Sequence, residues 1–233
     1  MSVFFVAEIG SLWDGSPALG YRMIREASLA GADAIKIQLG WDPADPVRGA
    51  SDKHVEFLRD ATHEFGMQFG ASFFSLQGLD NGRKAGLDFY KIPSQKTYSD
   101  SVLVAEVLKD QRPTWVSHGM LQSSEDIIQD SEWFFPNIHN VWCVSQYPTY
   151  IKHLKDMPSR FHEGYYEGYS DHVHGIESCL LAIARGAMMV ETHFTLSPAN
   201  QTIRDHAFAK TPAEFAELIR LGRRLNQIVE AAR

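Results

Sequence analysis

The chain has 233 residues, 44% hydrophobic and 22% charged, with a formal net charge of −7. This is an ordinary globular composition, and its negative balance argues against broad electrostatic adhesion to nucleic acid or to anionic membranes. No run of about 18 apolar residues occurs, so no membrane span is expected.

The opening "MSVFFVAEIG" is apolar but lacks a basic n-region and a small-residue cleavage site, so it reads as a first strand and not a signal peptide. Strand-like runs occupy residues 3–9, 33–39, 67–74, 87–93, 113–119, 140–147, 163–170 and 187–194. Between them lie segments of helical periodicity, such as 17–30 and 174–186, and the chain ends on a helix over roughly 212–231. Gly31, Gly66, Gly86 and Gly186 stand where helices stop and strands begin, as suits the left-handed position after a helix. The two cysteines, Cys143 and Cys179, sit in apolar stretches and read as reduced core residues of a cytoplasmic protein.

Eight strand–helix units with no linker between them predict an α/β fold: a (β/α)8 TIM barrel, one domain over residues 1–233. The alternative, a doubly wound open sheet, usually carries a phosphate-binding glycine loop after an early strand. Neither a GxGxxG nor a Walker loop is present.

Side chains on a strand alternate faces, and a barrel places its active site at the C-terminal strand ends. Lys36 and Gln38 share one face of the second strand. Cys143, Ser145 and Tyr147 share one face of the sixth, Ser170 and His172 of the seventh, and Glu191 and His193 of the eighth. Glu8, Ser72, Lys91 and Ser117 stand near the ends of theirs. A polar group at every strand end is costly to bury without a polar ligand. His172 and His193 arrive from adjacent strands, within reach of one ion, with Glu191 beside them as ligand, supporting partner or proton acceptor. The other reading is two hydrogen-bonded histidines without a metal. Asp171 faces away from its neighbours, toward loop backbone or an imidazole. His174 reads as a cap or loop residue, and His118 and His206 as weaker loop candidates. Lys36 and Lys91 read as binders of phosphate and carboxylate groups, with Ser72, Ser94, Ser117, Ser145 and Ser170 as hydroxyl donors. Two alternatives stand: a Schiff-base lysine, and a Lys–Glu pair across the barrel mouth involving Glu8.

The blocks "VAEIG" (6–10), "AGADAIKIQ" (30–38), "YKIPS" (90–94), "SHGM" (117–120), "CVSQYP" (143–148), "GYSDHVHGIE" (168–177) and "VETHFTL" (190–196) resemble the barrel domain of the N-acetylneuraminate (sialic acid) synthase family. The resemblance implies condensation of phosphoenolpyruvate (PEP) with an aldehyde acceptor, sugar or sugar-like, and release of phosphate. It implies a divalent metal held by His172 and His193, Mn foremost, with Mg, Co, Fe or Zn also compatible. It places Lys36, Ser72, Lys91, Ser94, Ser117, Ser145 and Ser170 around PEP. It makes Glu191 the candidate for handling the water proton.

Several positions depart from the family pattern. "LWDG" (12–15) stands for an Asn-His-Asn-Gly run, Lys96 for an acid, and Thr192 for a lysine, and the connection 40–53 is short. The family's antifreeze-like C-terminal domain has no counterpart in these residues, so a homodimer or a separate partner protein is the expected source of any missing acceptor wall. Lys96, Arg204, Trp13, Asp14 and Gln95 are the positions singled out for an altered acceptor, and a cation at Lys96 suits an acidic one better than a neutral one. The competing functional readings are a barrel lyase or hydrolase with a metal, and a non-catalytic relative that keeps the pocket.

Overall fold

A computed structural model describes residues 2–42, 44–45, 48–120, 136–161, 166–199 and 202–232. Eight strands form a closed, all-parallel barrel in sequence order. They are β1 Phe4–Gly10, β2 Ala34–Leu39, β3 Gln68–Phe73, β4 Phe89–Ile92, β5 Thr114–Ser117, β6 Ile138–Cys143, β7 Gly168–Asp171 and β8 Met189–His193. β8 pairs back onto β1, with Glu8 opposite His193. The predicted (β/α)8 barrel is the fold. Among the described residues no helix is long and apolar enough to cross a membrane.

The helices are α1 Pro17–Ala30, α2 Asp52–Glu64, α3 Leu76–Ala85, the single turn α4 Ser94–Thr97, α5 Ser101–Lys109, α6 Glu177–Ala184 and α7 Pro212–Ala231. Ser16, Ser51 and Ser75 each accept a hydrogen bond from the N–H three residues on, which sets where α1, α2 and α3 begin. Thr211 and Glu214 form a capping box at α7, and α7 packs against α1 and α6 to complete the outer ring.

Most strand ends differ from the sequence reading by one or two residues, and β6 differs by more. Expected over 140–147, it ends at Cys143, so Ser145 and Tyr147 reach the cavity at the barrel mouth from the loop after it and not from one face of the strand. The expected strand over 163–170 is realised as Gly168–Asp171, and residues 163–165 lie outside the described residues. α6 starts at Glu177, not 174, because Gly175 adopts φ 81° and holds His174 in an exposed loop.

Strand alternation divides the interior into two layers. Phe5, Ala7, Ile9, Ile35, Ile37, Phe69 and Phe73 pack outward under the helices. Val6, Ala34, Phe89, Val141 and Met189 plug the N-terminal half of the bore. Gly70 leaves the space that the Phe89 ring fills, since a Cβ there would overlap it. The apolar plug makes the N-terminal half of the bore a packed core, and its C-terminal end opens into a cavity.

Candidate active site

The cavity at that end has a volume of about 610 Å³, and each of the eight strands contributes a lining residue: Glu8, Lys36, Ser72, Lys91, Ser117, Cys143, Ser170 and Glu191. Register explains the juxtaposition. Glu8 pairs with Lys36, Ser72 with Lys91, and Ser170 with both Cys143 and Glu191. A bulge between Glu8 and Gly10 shifts the β1–β2 register there, a common device for aiming a side chain beside a site.

Four charges form the floor. The Lys36 ammonium abuts Glu8, donates to Ser72 Oγ at 2.7 Å and lies 3.8 Å from Glu191. Lys91 Nζ donates to both Glu191 oxygens at 2.9 Å, and Ser170 Oγ donates to Glu191 Oε1 at 3.0 Å. All four side chains are buried. Lys–Glu pairing, one of the alternatives read from the sequence, is thus present at the cavity floor.

The two glutamates are driven apart. For Glu191, burial opposes ionisation, but Lys36 and Lys91 outweigh it and lower its pKa to about 2. For Glu8, burial outweighs Lys36, Glu191 adds repulsion, and its pKa rises to about 7. Burial also works against the Lys36 ammonium, yet Glu191 and Glu8 prevail and raise its pKa.

His172 and His193 meet as expected, with ring centroids 5.6 Å apart. Burial, then the neighbouring His193, lowers the His172 pKa to about 4; burial, then Lys36, lowers that of His193 to about 3. Both are therefore neutral imidazoles, the form that binds metals. His172 Nδ1 lies 3.0 Å from the Val144 carbonyl, which leaves Nε2 toward the cavity. His193 Nδ1 is buried without a hydrogen-bond partner. Two neutral imidazoles, one with an orphan nitrogen, fit a divalent ion completed by water and substrate oxygens. No group of three His, Cys, Asp or Glu among the described residues is spaced to hold a metal, and Glu191 is engaged by Lys91. That donor set suits an open site for an oxygen-seeking ion better than a closed structural zinc site.

The mouth is aromatic and cationic. Trp41 stacks on Phe74 at 4.4 Å, the Arg48 guanidinium covers Trp41 at 4.9 Å, and Trp41 Nε1 donates to Gln38 at 3.2 Å. Across the opening the Arg204 guanidinium lies 4.5 Å over Tyr147, which in turn packs on His172 at 4.3 Å. Ser145 Oγ donates to Ser94 Oγ at 2.8 Å.

A family model for the NeuB family matches residues 48–232. The chain belongs to the NeuB family. It is 28% identical over 259 residues to the N-acetylneuraminate-9-phosphate synthase of Mus musculus, covering 93% of this chain and 68% of the relative. It is 29% identical over 250 residues to the pseudaminic acid synthase of Campylobacter jejuni, covering 93% and 72%. The crystal structure of N-acetylneuraminic acid synthetase from Leptospira borgpetersenii in complex with citrate superposes with a TM-score of 0.83 at 27% identity, over 98% of this chain and 85% of that one.

Within this NeuB barrel, Glu8, Lys36, Gln38, Ser72, Lys91, Ser94, Ser117, Ser145, Tyr147, Ser170, His172, Glu191, His193, Arg204 and Gln95 all line the cavity. Other expected positions do not. Lys96 pairs with Asp100 one helical turn on, at 3.1 Å, and is absent from the wall. Trp13 is core, its Nε1 donating to the Gly10 carbonyl at 3.0 Å, and Asp14 accepts from Thr202. His118 is buried between Tyr98 and Asn140, and His206 bonds Thr195. Asp171 bonds no imidazole; Lys210 neutralises it. Trp41, Arg48 and Phe208 are not legible in the sequence, because irregular loops carry no period that shows which way a side chain turns; Phe74, expected at the end of the third strand, lies just past β3 and joins the wall.

Proposed function

We propose that this NeuB-family chain is a synthase that condenses PEP with a sugar-like aldehyde and releases inorganic phosphate. The observation that carries it is the buried Lys36–Glu8–Glu191–Lys91 quartet, ringed by serines, beside two neutral imidazoles. PEP offers a carboxylate and a phosphate, and the cavity offers two ammonium groups with Ser72, Ser94, Ser117, Ser145 and Ser170 as donors. Such preset donors stabilise charge with little reorganisation.

In the reaction, C3 of PEP bonds to the aldehyde carbon and the aldehyde oxygen takes a proton to become a hydroxyl. Water adds at C2 and loses a proton. The C2 hydroxyl gives up its remaining proton as the C2–O bond to phosphate breaks, leaving a 2-keto acid, and the departing phosphate takes up a proton. Glu191, kept ionised, holds Lys91 in place. Glu8, poised near neutrality, is the better group to accept and return the water proton. His172 and His193 would hold a divalent ion, which when bound would supply Lewis-acid polarisation of the aldehyde oxygen. Glu191 engages Lys91 Nζ through both of its oxygens, which speaks against an imine route. Arg48 and Arg204 at the aromatic mouth favour an acceptor that carries an anionic group, and Lys96 is not needed for it.

The test is phosphate release from PEP with Mn and a panel of neutral and anionic aldehydes. Release that requires both an aldehyde and the metal, and that stops on chelation, supports the reading. No release with any acceptor or divalent ion overturns it, and borohydride trapping of substrate on Lys91 replaces it with imine chemistry.

A further inference from the structure

Asp171 ends β7 immediately before His172 and is wholly buried on the outer side of the barrel wall. It accepts from the Tyr169 and Ser178 hydroxyls, both at 2.7 Å, and from the Val173 N–H at 3.3 Å. Its cation is Lys210, whose Nζ lies 3.0 Å from Asp171 Oδ2. Lys210 is 1% exposed. Either charge alone in that interior would be strongly unfavourable.

Lys210 does more than neutralise Asp171. Its ammonium also donates to the carbonyls of Val173, at 2.5 Å, and Phe208, at 3.2 Å. Its backbone N–H donates to the His193 carbonyl at 2.7 Å, and its own carbonyl accepts from Thr195 N–H at 3.0 Å. One residue therefore grips the chain on both sides of His172 through its side chain, and His193 through its main chain. Two residues earlier, Phe208 presses edge-on against both imidazoles, with centroids 5.9 and 5.0 Å away. The segment comes from neither strand. It arrives from the loop before α7, whose start the Thr211–Glu214 capping box pins.

We infer that Lys210 is a positioning residue that ties the ends of β7 and β8 together, so that His172 and His193 face each other at a fixed separation. It does not line the cavity, so it acts through the histidines and not on substrate. The part of this inference that concerns metal affinity rests on the proposed function; the part that concerns imidazole geometry does not.

Two variants separate positioning from stability. Lys210→Met removes the ammonium and keeps an apolar stem. Asp171→Asn with Lys210→Met removes both buried charges, so the fold has no unpaired ion to accommodate. Each is read in metal-free protein by imidazole nitrogen NMR with isotope-labelled histidine, His172 and His193 being assigned by single substitution. Displaced or doubled signals for these two rings, with the other histidines unmoved, are expected in both variants. Mn affinity, measured by calorimetry, is expected to fall about 10–100-fold, the usual effect of losing a group that orients a ligand. A folded double variant with wild-type signals for both rings overturns the inference, as does a double variant that cannot fold, since Lys210 would then serve the fold at large. If wild-type protein neither binds Mn nor turns over PEP while both rings still move in the variants, the proposed function fails and the positioning role stands.

Discussion

Replacing Glu191 by Gln keeps the side-chain volume and removes one negative charge from the cavity floor. Lys91 then keeps one acceptor, the amide oxygen, but loses the second oxygen and the charge of its partner, and Lys36 loses its second carboxylate. Two routes give the magnitude. A carboxylate moved from an ordinary 4.5 to about 2 contributes roughly 3 kcal/mol to folding at neutral pH. Breaking a buried pair by deleting one partner costs about 3–5 kcal/mol. The two agree, and in a domain of this size they correspond to a melting point lower by roughly 6–20 °C. The pH dependence follows from the direction of the shift. The folded-state pKa is depressed, so the contribution is complete above 4.5 and is lost as the pH falls through about 2. Urea unfolding of wild type and Glu191→Gln should show the full gap near neutrality and less than about half of it by pH 3. Adding Lys91→Met to Glu191→Gln should recover part of the loss, because no unpaired charge remains. A neutral-pH gap under about 1 kcal/mol, or one that does not narrow in acid, would refute the reasoning.

Glu8→Gln should lower kcat by about 10²–10⁴-fold and abolish the limb of the pH–rate profile set by a carboxyl near 7. Glu8 is raised, so that limb appears as its proton is lost on going up through neutrality; kcat/KM measured across that range reads it, since that ratio reports groups of the free enzyme. Arg204→Ala removes the cation over Tyr147; steady-state kinetics should show a higher KM for an anionic acceptor with the KM for PEP unchanged. Gly70→Ala forces a methyl into the Phe89 ring and should destabilise the barrel by about 1–3 kcal/mol in chemical denaturation, with the Mn affinity preserved.

The features that sequence reading recovered are those that a regular period carries. Lys36 with Gln38, and Glu191 with His193, stand two apart on strands whose alternation continues into the apolar plug, so their direction follows from the pleat. The partners across the bore were less legible. Lys91 and Glu191 are separated by 100 residues, and a run of residues does not show whether a lysine faces a substrate or a neighbouring carboxylate. Lys96 was placed at the acceptor because of its position after Ser94, but α4 turns it toward Asp100. Lys210 escaped notice for the opposite reason. It lies in an irregular segment before a helix, and its main contact, with Val173, spans 37 residues.

The floor quartet supplies the cavity with its own counter-ions, and this bears on which anions it retains. Lys36 and Lys91 are already occupied, by Glu8 and Glu191, so a ligand must displace two internal carboxylates to hold both ammonium groups. An anion with one charged end competes for one lysine at a time and is readily expelled by the returning glutamate. A ligand with two anionic ends at the right spacing engages both together and gains the advantage of a second contact at high local concentration. On the proposed chemistry, the same carboxylates that weaken the grip on PEP hasten the departure of inorganic phosphate, so the cavity discriminates between substrate and product by how many anionic ends each presents.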